Sequence, residues 1–524
     1  MQPVFTAAQS RAFDKYLIED IGIPSPVLME NAARAALNTM SDWLEVPGES
    51  EIVIICGTGN NGGDGMALAR LFTEREYNVT VFLAGDESKL SPNAKAQYDA
   101  LSKLIDPDEI YSFEKAEDII EIVDGPDVIV DALLGTGSSG TARGAIAEGI
   151  KAIQMLKEAL GAKVLAMDIP SGLDADHGAF EADESSQLIV RTDRTVTMGA
   201  PKIGFYRAES RIFTGDISVA SLGAESSSIP ANAFLMGARD VALAIRTFPY
   251  TASKMTRGRV LTICGSRGMT GAAIMSGMAA LKSGCGMVTV AIPESERPIV
   301  AQAMPELMTH GLQSETNGSP DLPAWEELQG QLKRADVVLI GCGLPVILGT
   351  TALILKIVSE VEKPIVIDAG ALSTLEGHLD ILKKRKAPTI LTPHAGEIAR
   401  LVDRPLNEVV RDRLAVAREV AETTGCIVVM KGAPTYIVTP DKTAYINTTG
   451  NVGLATAGTG DVLAGMIVSL LAQMPESPGE ATMAAVYLHG LAGDFAAKEK
   501  TTHSMTATDV IAHLPQAFKS LGIK

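Results

Sequence analysis

The sequence predicts an α/β protein built from two parallel-sheet, three-layer domains, and three observations carry that prediction. Short apolar runs of strand length recur with helix-length segments between them, the alternation of a parallel sheet covered by helices on both faces. The pattern lapses over residues 223–232, GAESSSIPAN, and then resumes. At 524 residues the chain is also too long for one ordinary core, because a prior of about 150 residues per domain gives two to four domains. The expected division is 1–224 and 233–524, with a linker at 225–232.

Composition narrows the class. Hydrophobic residues make up 46% and charged residues 21%, the balance of a globular, enzyme-like chain. A net charge of -18 opposes binding to nucleic-acid backbones or anionic lipid. Cys56, Cys264, Cys285, Cys342 and Cys426 are odd in number and scattered, which reads as reduced thiols of a cytoplasmic protein. The first twenty residues hold Asp14, Glu19 and Asp20 and no apolar core of a secretory signal.

In the first half, residues 6–42 have helical spacing, with Leu28, Met29, Ala32, Ala33, Ala36 and Leu37 as an apolar stripe. Strand runs follow at 51–57, 79–85, 127–135 and 163–172. Ligands of such sheets bind beyond the carboxyl ends of the strands, and the polar, glycine-rich segments fall there. They are GTGNNGGDG at 57–65 before a helix from about Met66, Asp131 with the loop Gly135–Thr141, Asp168 with Ser171, and Gly199 to Lys202. One such loop could be only a tight turn; convergence of several predicts a ligand pocket. Asp131, Asn61 and Ser171 offer oxygen ligands that suit a hard monovalent cation, or else they cap turns.

The second half repeats the architecture with runs at 259–266, 287–293, 336–343, 364–370, 389–397 and 426–432. Its strand ends carry Gly265–Ala273, Gly341 to Gly343, Asp368, His394, Glu397 and Lys431 to Thr435. Met275 and Met278 belong to the core by spacing. Asp368 reads either as a turn cap or as a magnesium ligand, and His394 either as a turn residue or as a ligand contact. The stretch NTTGNVGLATAGTGDVLAG at 447–465 surrounds Asp461 with glycines and then becomes apolar with helical period. A helix starting near Asp461 would offer unpaired N–H groups to an anion. Asp461 is then either the base that takes a proton from an attacking hydroxyl or the helix N-cap.

Two resemblances complete the reading. PSPVLMENAARA at 24–35, GTGNNGGDG, DALLGTG at 131–137 and MDIPSGLDAD at 167–176 make the first 222 residues resemble the NAD(P)H-hydrate epimerase family. GSRGMTGAA, TPHAGE, KGAPT and the 447–465 stretch make residues 233–520 resemble the ribokinase-like superfamily, specifically the ADP- or ATP-dependent NAD(P)H-hydrate dehydratases. The departures are GCGLP at 341–345, where the family has GPGLG, and AGTGD at 457–461, where it has GGTGD.

The resemblance implies a Rossmann-like first domain that binds hydrated NADH or NADPH (NADHX and NADPHX). The binding residues would be Asn60, Asn61, Gly62, Gly63, Asp64, Gly135, Thr136, Gly137, Ser138, Ser139, Gly140, Thr141 and Asp168. Asn61, Asp131 and Ser171 would hold K+, and Asp168 would move the proton. In the second domain it assigns Lys431, Gly432, Ala433, Pro434, Thr435 and Gly460 to ADP or ATP with Mg2+. Ala272, Gly343, His394 and Asp461 would meet the hydrated dinucleotide, Asp461 as base. A homo-oligomer is expected. The rival reading is a ribokinase-like small-molecule kinase with a regulatory nucleotide-binding or RNA-binding amino-terminal module, which a stable phosphorylated product or RNA binding would reveal.

Overall fold

A computed structural model describes every residue except 45–46, 107–108, 139, 181–182, 208 and 524, and the backbone alone of Glu184. The chain divides into two compact units, Gln2–Ala233 and Phe234 onward.

The amino-terminal unit begins with α1 (Ala7–Lys15), capped by Thr6 in a reciprocal box with Gln9. The helical spacing expected over 6–42 is interrupted: α1 runs into a π-turn at Tyr16–Asp20, Gly22 takes a positive φ of 83°, and Pro24 precedes α2 (Ser25–Thr39). Proline restricts the residue before it to extended backbone, so one helix cannot cross this point. The apolar stripe of α2 is buried as its spacing predicts.

The sheet comprises β1 (Glu51–Cys56), β2 (Asn78–Leu83), β3 (Ile110–Ser112), β4 (Val128–Ala132), β5 (Lys163–Met167), β6 (Arg194–Met198) and β7 (Asp216–Ala220). Its order is β3-β2-β1-β4-β5-β6-β7, with every pairing parallel. The chain builds outward from β1 in one direction and then restarts at β4 on the other side. That reversal opens a crevice between the carboxyl ends of β1 and β4.

Helix α3 (Asn60–Glu74) starts in that crevice, about six residues earlier than the glycines suggest. Those glycines are needed for proximity rather than for ending a helix. A Cβ at Gly62 would lie 1.8 Å from the Gly57 carbonyl oxygen, so only glycine lets the helix start fold against the end of β1.

The carboxyl-terminal unit contains β8 (Arg259–Ile263), α4 (Thr270–Lys282), β9 (Met287–Pro293), β10 (Met308–Leu312), β11 (Val337–Ile340), β12 (Ile365–Ile367) and β13 (Thr389–Leu391). It continues with α5 (Ala395–Leu401), α6 (Arg413–Thr424), β14 (Ile427–Met430), β15 (Thr435–Val438), β16 (Ala444–Asn447), α7 (Thr459–Gln473) and α8 (Pro478–Lys500). These strands are ordered β16-β15-β14-β13-β12-β11-β8-β9-β10. Pairing is parallel from β14 to β10. The sheet is not wholly parallel as the strand runs suggested, because β15 pairs antiparallel with β14 and, as a hairpin, with β16. The hairpin turn is tightened by Asp441, which accepts from Thr439 and Thr443. The switch point lies between β8 and β11, where the Gly265 and Gly341–Gly343 loops emerge.

Helix α7 is buried on every side from Val462 to Gln473, which is why its sequence is almost continuously apolar. It lies so close to α4 that a Cβ at Gly465 would sit 2.2 Å from the Ser276 carbonyl oxygen. Gly465→Ala should therefore destabilise the unit by about 1–3 kcal/mol, the usual cost of overpacking. A lowered denaturant midpoint at unchanged slope would report it.

Candidate functional site

At the first switch point, Asn61, Asp131 and Ser171 meet in one network. Ser171 donates from its N–H to Asp131 Oδ2 at 2.7 Å and from Oγ to Asp131 Oδ1 at 2.6 Å. Ser171 Oγ accepts from Leu134 N–H at 2.9 Å, and Asn61 Nδ2 donates to the Leu134 carbonyl at 2.9 Å. Asp131 is fully buried without a cationic partner among the described residues, and burial raises its carboxyl to about 6 against the hydrogen bonds from Ser171 and Leu133. Asn61 Oδ1 is buried with no hydrogen-bond partner among the described residues. An orphaned amide oxygen beside a fully buried carboxylate is the donor set of a hard cation.

Asp168 follows β5 in a left-handed conformation (φ 65°), a strained state for a residue with a side chain. Its Oδ1 accepts from Lys202 Nζ at 2.6 Å and from Met198 N–H at 3.0 Å. Lys202 is 1% exposed and also donates to Thr197 Oγ1 and the carbonyls of Met198 and Ala200. Asp64 on α3 and Asp14 on α1 lie in the field of Asp168. Burial, then the charge of Asp168, raises Asp14 to about 6 against Lys202, and burial raises Asp64 further. Gly135 adjoins both Asn61 and Asp168. Asn60 accepts from Ser91 Oγ, and Ser138 Oγ donates to the Gly135 carbonyl. Thr136, Gly137, Gly140 and Thr141 continue this loop at the exposed rim or half-buried. Ser139 lies outside the described residues.

At the second switch point, Asp461 occupies the third position of α7, and Gly458, with φ 89°, is the N-cap. The capping alternative for Asp461 is thereby removed, since a cap stands outside the helix. Its carboxyl is raised to about 6 by burial and then by Asp368, while Cys342 and Lys431 oppose the shift. Lys431 Nζ lies 3.0 Å from Asp368 Oδ1 and 3.6 Å from Glu397 Oε2. It is also 3.7 Å from where a Cβ of Gly460 would sit, which puts an ammonium at the amino end of α7. Burial lowers the Lys431 ammonium, yet Asp368 and Glu397 outweigh it and hold it above the ordinary lysine range. A fixed cation beside the free N–H groups of a helix start is an anion site.

Asp368 does not cap its turn with its side chain. Oδ1 accepts from Thr392 Oγ1 at 2.7 Å as well as from Lys431, and Oδ2 faces the Cys342 thiol at 3.6 Å. Cys342, Asp368 and Asp461 bring one ligand atom each within 4.8 Å of one another. The carboxylate oxygens suit Mg2+, and the sulfur does not.

His394 does turn work: its Nδ1 accepts from Gly396 and Glu397 N–H groups at the start of α5. That leaves Nε2 on a side chain 54% exposed. Ala272 and Gly343 touch, with the Ala272 Cβ 2.9 Å from where a Gly343 Cβ would lie. The segment Lys431 to Thr435 is held by Arg413, which donates to the carbonyls of Lys431, Ala433 and Pro434. Asp494 of α8 pins the loop before α7 through Gly450 N–H and Asn451 Nδ2. Buried His489, pushed down to about 4 by desolvation, is neutral and bonds the Thr459 carbonyl.

Residues 260–516 match the family model described as NAD(P)H-hydrate dehydratase, and residues 25–204 match that of the YjeF-related protein N-terminus. The bifunctional NAD(P)H-hydrate repair enzyme Nnr of Moorella thermoacetica is 34% identical over 523 residues, covering 98% of this chain and 96% of that protein. The enzyme of the same name from Coxiella burnetii is 35% identical, covering 98% and 99%. Among solved structures, the ADP/ATP-dependent NAD(P)H-hydrate dehydratase of Bacillus subtilis, co-crystallized with ATP/Mg2+, is 30% identical at a TM-score of 0.47. It covers 54% of this chain and 97% of that one. No helix among the described residues is long and apolar enough to cross a membrane.

Proposed function

The chain belongs to the bifunctional NAD(P)H-hydrate repair enzymes, and from that premise we propose how its two units divide the work. It is an NAD(P)H-hydrate epimerase joined to an ADP/ATP-dependent NAD(P)H-hydrate dehydratase. Residues 1–224 interconvert the R and S forms of NADHX and NADPHX at C6 of the nicotinamide ring, and residues 233–524 return the S form to NAD(P)H.

For the dehydratase, the observation that carries the reading is the pairing of a raised carboxyl at Asp461 with the Lys431 ammonium at one helix start. Hydroxide is a poor leaving group, so the C6 hydroxyl is first phosphorylated. Asp461 takes its proton as the oxygen attacks the terminal phosphorus of ADP or ATP. Lys431 and the first N–H groups of α7 hold charge on the transferring group. Phosphate then leaves with the C6–O electron pair, the ring nitrogen supplies electrons, and loss of a C5 proton restores the dihydropyridine. Mg2+, for which Asp368 and Asp461 offer oxygens, would offset phosphate charge when bound. Lys431 to Thr435 and Gly460 line the nucleotide's place, and Ala272, Gly343 and His394 that of the dinucleotide.

For the epimerase, Asp168 moves the proton at C6 and the loops at Asn60–Asp64 and Gly135–Thr141 hold the dinucleotide. K+ at Asn61, Asp131 and Ser171 would screen the diphosphate. KCl in place of choline chloride should raise the unfolding temperature of this unit, since a ligand at about 100 times its Kd adds about 2.7 kcal/mol. Asp131→Asn should remove that response. A cytoplasmic location and a homo-oligomeric assembly complete the reading.

The test is recovery of reduced-nicotinamide absorbance from racemic hydrated NADPH with Mg2+ and ADP or ATP. Wild type should consume both forms, and Asp168→Asn should stall once the S form is gone. A stable phosphorylated product would instead indicate a small-molecule kinase.

A further inference from the structure

Asp64 is an acidic residue with no side-chain counter-ion among the described residues, in a site whose lysine, Lys202, is already paired with Asp168. It lies three residues beyond Asn61 on α3, so the two share a helix face. That face meets the loop after β4: a Cβ at Gly135 would sit 3.3 Å from Asn61 Cβ and 3.8 Å from Asp168 Oδ2. The bare Gly135 therefore leaves Asp168 Oδ2 open toward this side. The two oxygens of Asp168 are unequal. Oδ1 receives Lys202 Nζ at 2.6 Å, Met198 N–H at 3.0 Å and Thr197 Oγ1 at 3.4 Å, whereas Oδ2 receives no hydrogen bond from the described residues.

Asp64 is half-buried, and no hydrogen bond or ion pair holds its carboxyl among the described residues. Asp168 and Asp14 face it as acids, and the Cys56 thiol lies within its field. Lys202 is committed to Asp168. One ammonium cannot neutralise three carboxylates in a recess, and burial followed by the charge of Asp168 raises the unpaired Asp64 carboxyl well above the ordinary carboxylate range, which favours its protonated form. A carboxyl that favours its proton beside one paired with a lysine is the arrangement of an acid and a base sharing one reaction.

We propose that Asp64 is a second catalytic carboxyl of the epimerase site, giving its proton to the C6 oxygen while Asp168 takes one from the incoming water. The proposal rests on the epimerase reading of the amino-terminal unit. As the C6–O bond breaks, its electron pair leaves with oxygen, which the Asp64 proton converts to water. The N1 lone pair forms the N1=C6 double bond. A water molecule then adds to the opposite face, the electrons return to N1, and the surplus proton goes to Asp168 Oδ2. One proton is lost by Asp64 and one gained by Asp168, so its return through water resets the pair with no net change.

The experiment follows both phases of racemic hydrated NADPH consumption with ADP and Mg2+ in the full chain. The fast phase reads the S form at the carboxyl-terminal site, and the slow phase reads epimerisation of the R form. Asp64→Asn should slow the R phase by about 10²- to 10⁴-fold, the usual worth of a general acid. The KM for the R form should stay within about threefold, as for a group acting in the transition state. Asp64→Glu, which restores a carboxyl, should recover at least about a tenth of the wild-type rate. An R phase of near-normal kcat in Asp64→Asn, a defect confined to KM, or a glutamate variant no faster than asparagine would overturn the assignment. A persistent fast phase shows that the carboxyl-terminal unit has folded, and an unchanged unfolding transition of the amino-terminal unit shows the same for the unit that carries Asp64. If wild type itself leaves the R form unconsumed, the epimerase reading falls, and this proposal with it.

Discussion

Asp461→Asn should lower nucleotide-dependent dehydration of the S form by about 10²- to 10⁴-fold, the loss expected when a general base is removed. Asparagine preserves the shape of the side chain in the first turn of α7 and leaves the Gly458 cap untouched, so folding should survive. The wild-type carboxyl, raised to about 6 by burial and by Asp368, is ionised at neutral pH but close enough to it to accept a proton readily. Dehydration should therefore fall about tenfold per pH unit below about 6 and level off above it. Stability should run the other way. A carboxyl raised in the folded state contributes stability that is present below its unfolded value and lost as pH rises through about 6. The asparagine variant should lack that decline from Asp461. The pH–rate profile on purified S form is the check, and near-normal turnover by Asp461→Asn would remove it as the base.

Much of the architecture was legible because strand-length apolar runs and glycine-rich strand ends carry the same information as a doubly wound sheet. What no local pattern could supply was which strand ends become neighbours. Asn61, Asp131 and Ser171 share one network through Leu134 only because β4 restarts the sheet beside β1. The start of α3 was misplaced for a related reason. Glycines at 62, 63 and 65 read as helix breakers, whereas here Gly62 and Gly65 let the first turns lie against the end of β1, and Gly63 admits Met29 and Ala94 on another side. Asp14 was missed because nothing in an amphipathic helix marks one acid as facing a site more than 150 residues away. Asp461 remained ambiguous between base and cap until its position inside the helix was seen. Cys342 stands out in the sequence only as a departure from GPGLG, and its contact with Asp368 depends on the close approach of β11 and β12. Lys202 was in view at a strand end without its partner, and its pairing is the most consequential of these.

Lys202→Met should be the most damaging single substitution for the stability of the amino-terminal unit. The ammonium is 1% exposed and has four acceptors, of which Asp168 is charged and the other three are neutral. Methionine fills similar space but leaves the Asp168 carboxylate without its counter-ion, holding only the Met198 N–H and the Thr197 hydroxyl. Breaking a buried pair by removing one partner costs about 3–5 kcal/mol, mostly because the remaining charge is left uncompensated. That origin makes a second result predictable. In Lys202→Met combined with Asp168→Asn no charge is stranded, and asparagine tolerates the left-handed backbone at 168. The double variant should thus be more stable than Lys202→Met alone, although it lacks the epimerase proton carrier. Because the chain has two units, the unfolding transition of the amino-terminal unit has to be followed separately. If the two substitutions simply add, Lys202 acts by packing. Recovery of stability without recovery of epimerisation means that the ion pair is maintained for holding Asp168 in place, at a cost the fold would otherwise avoid.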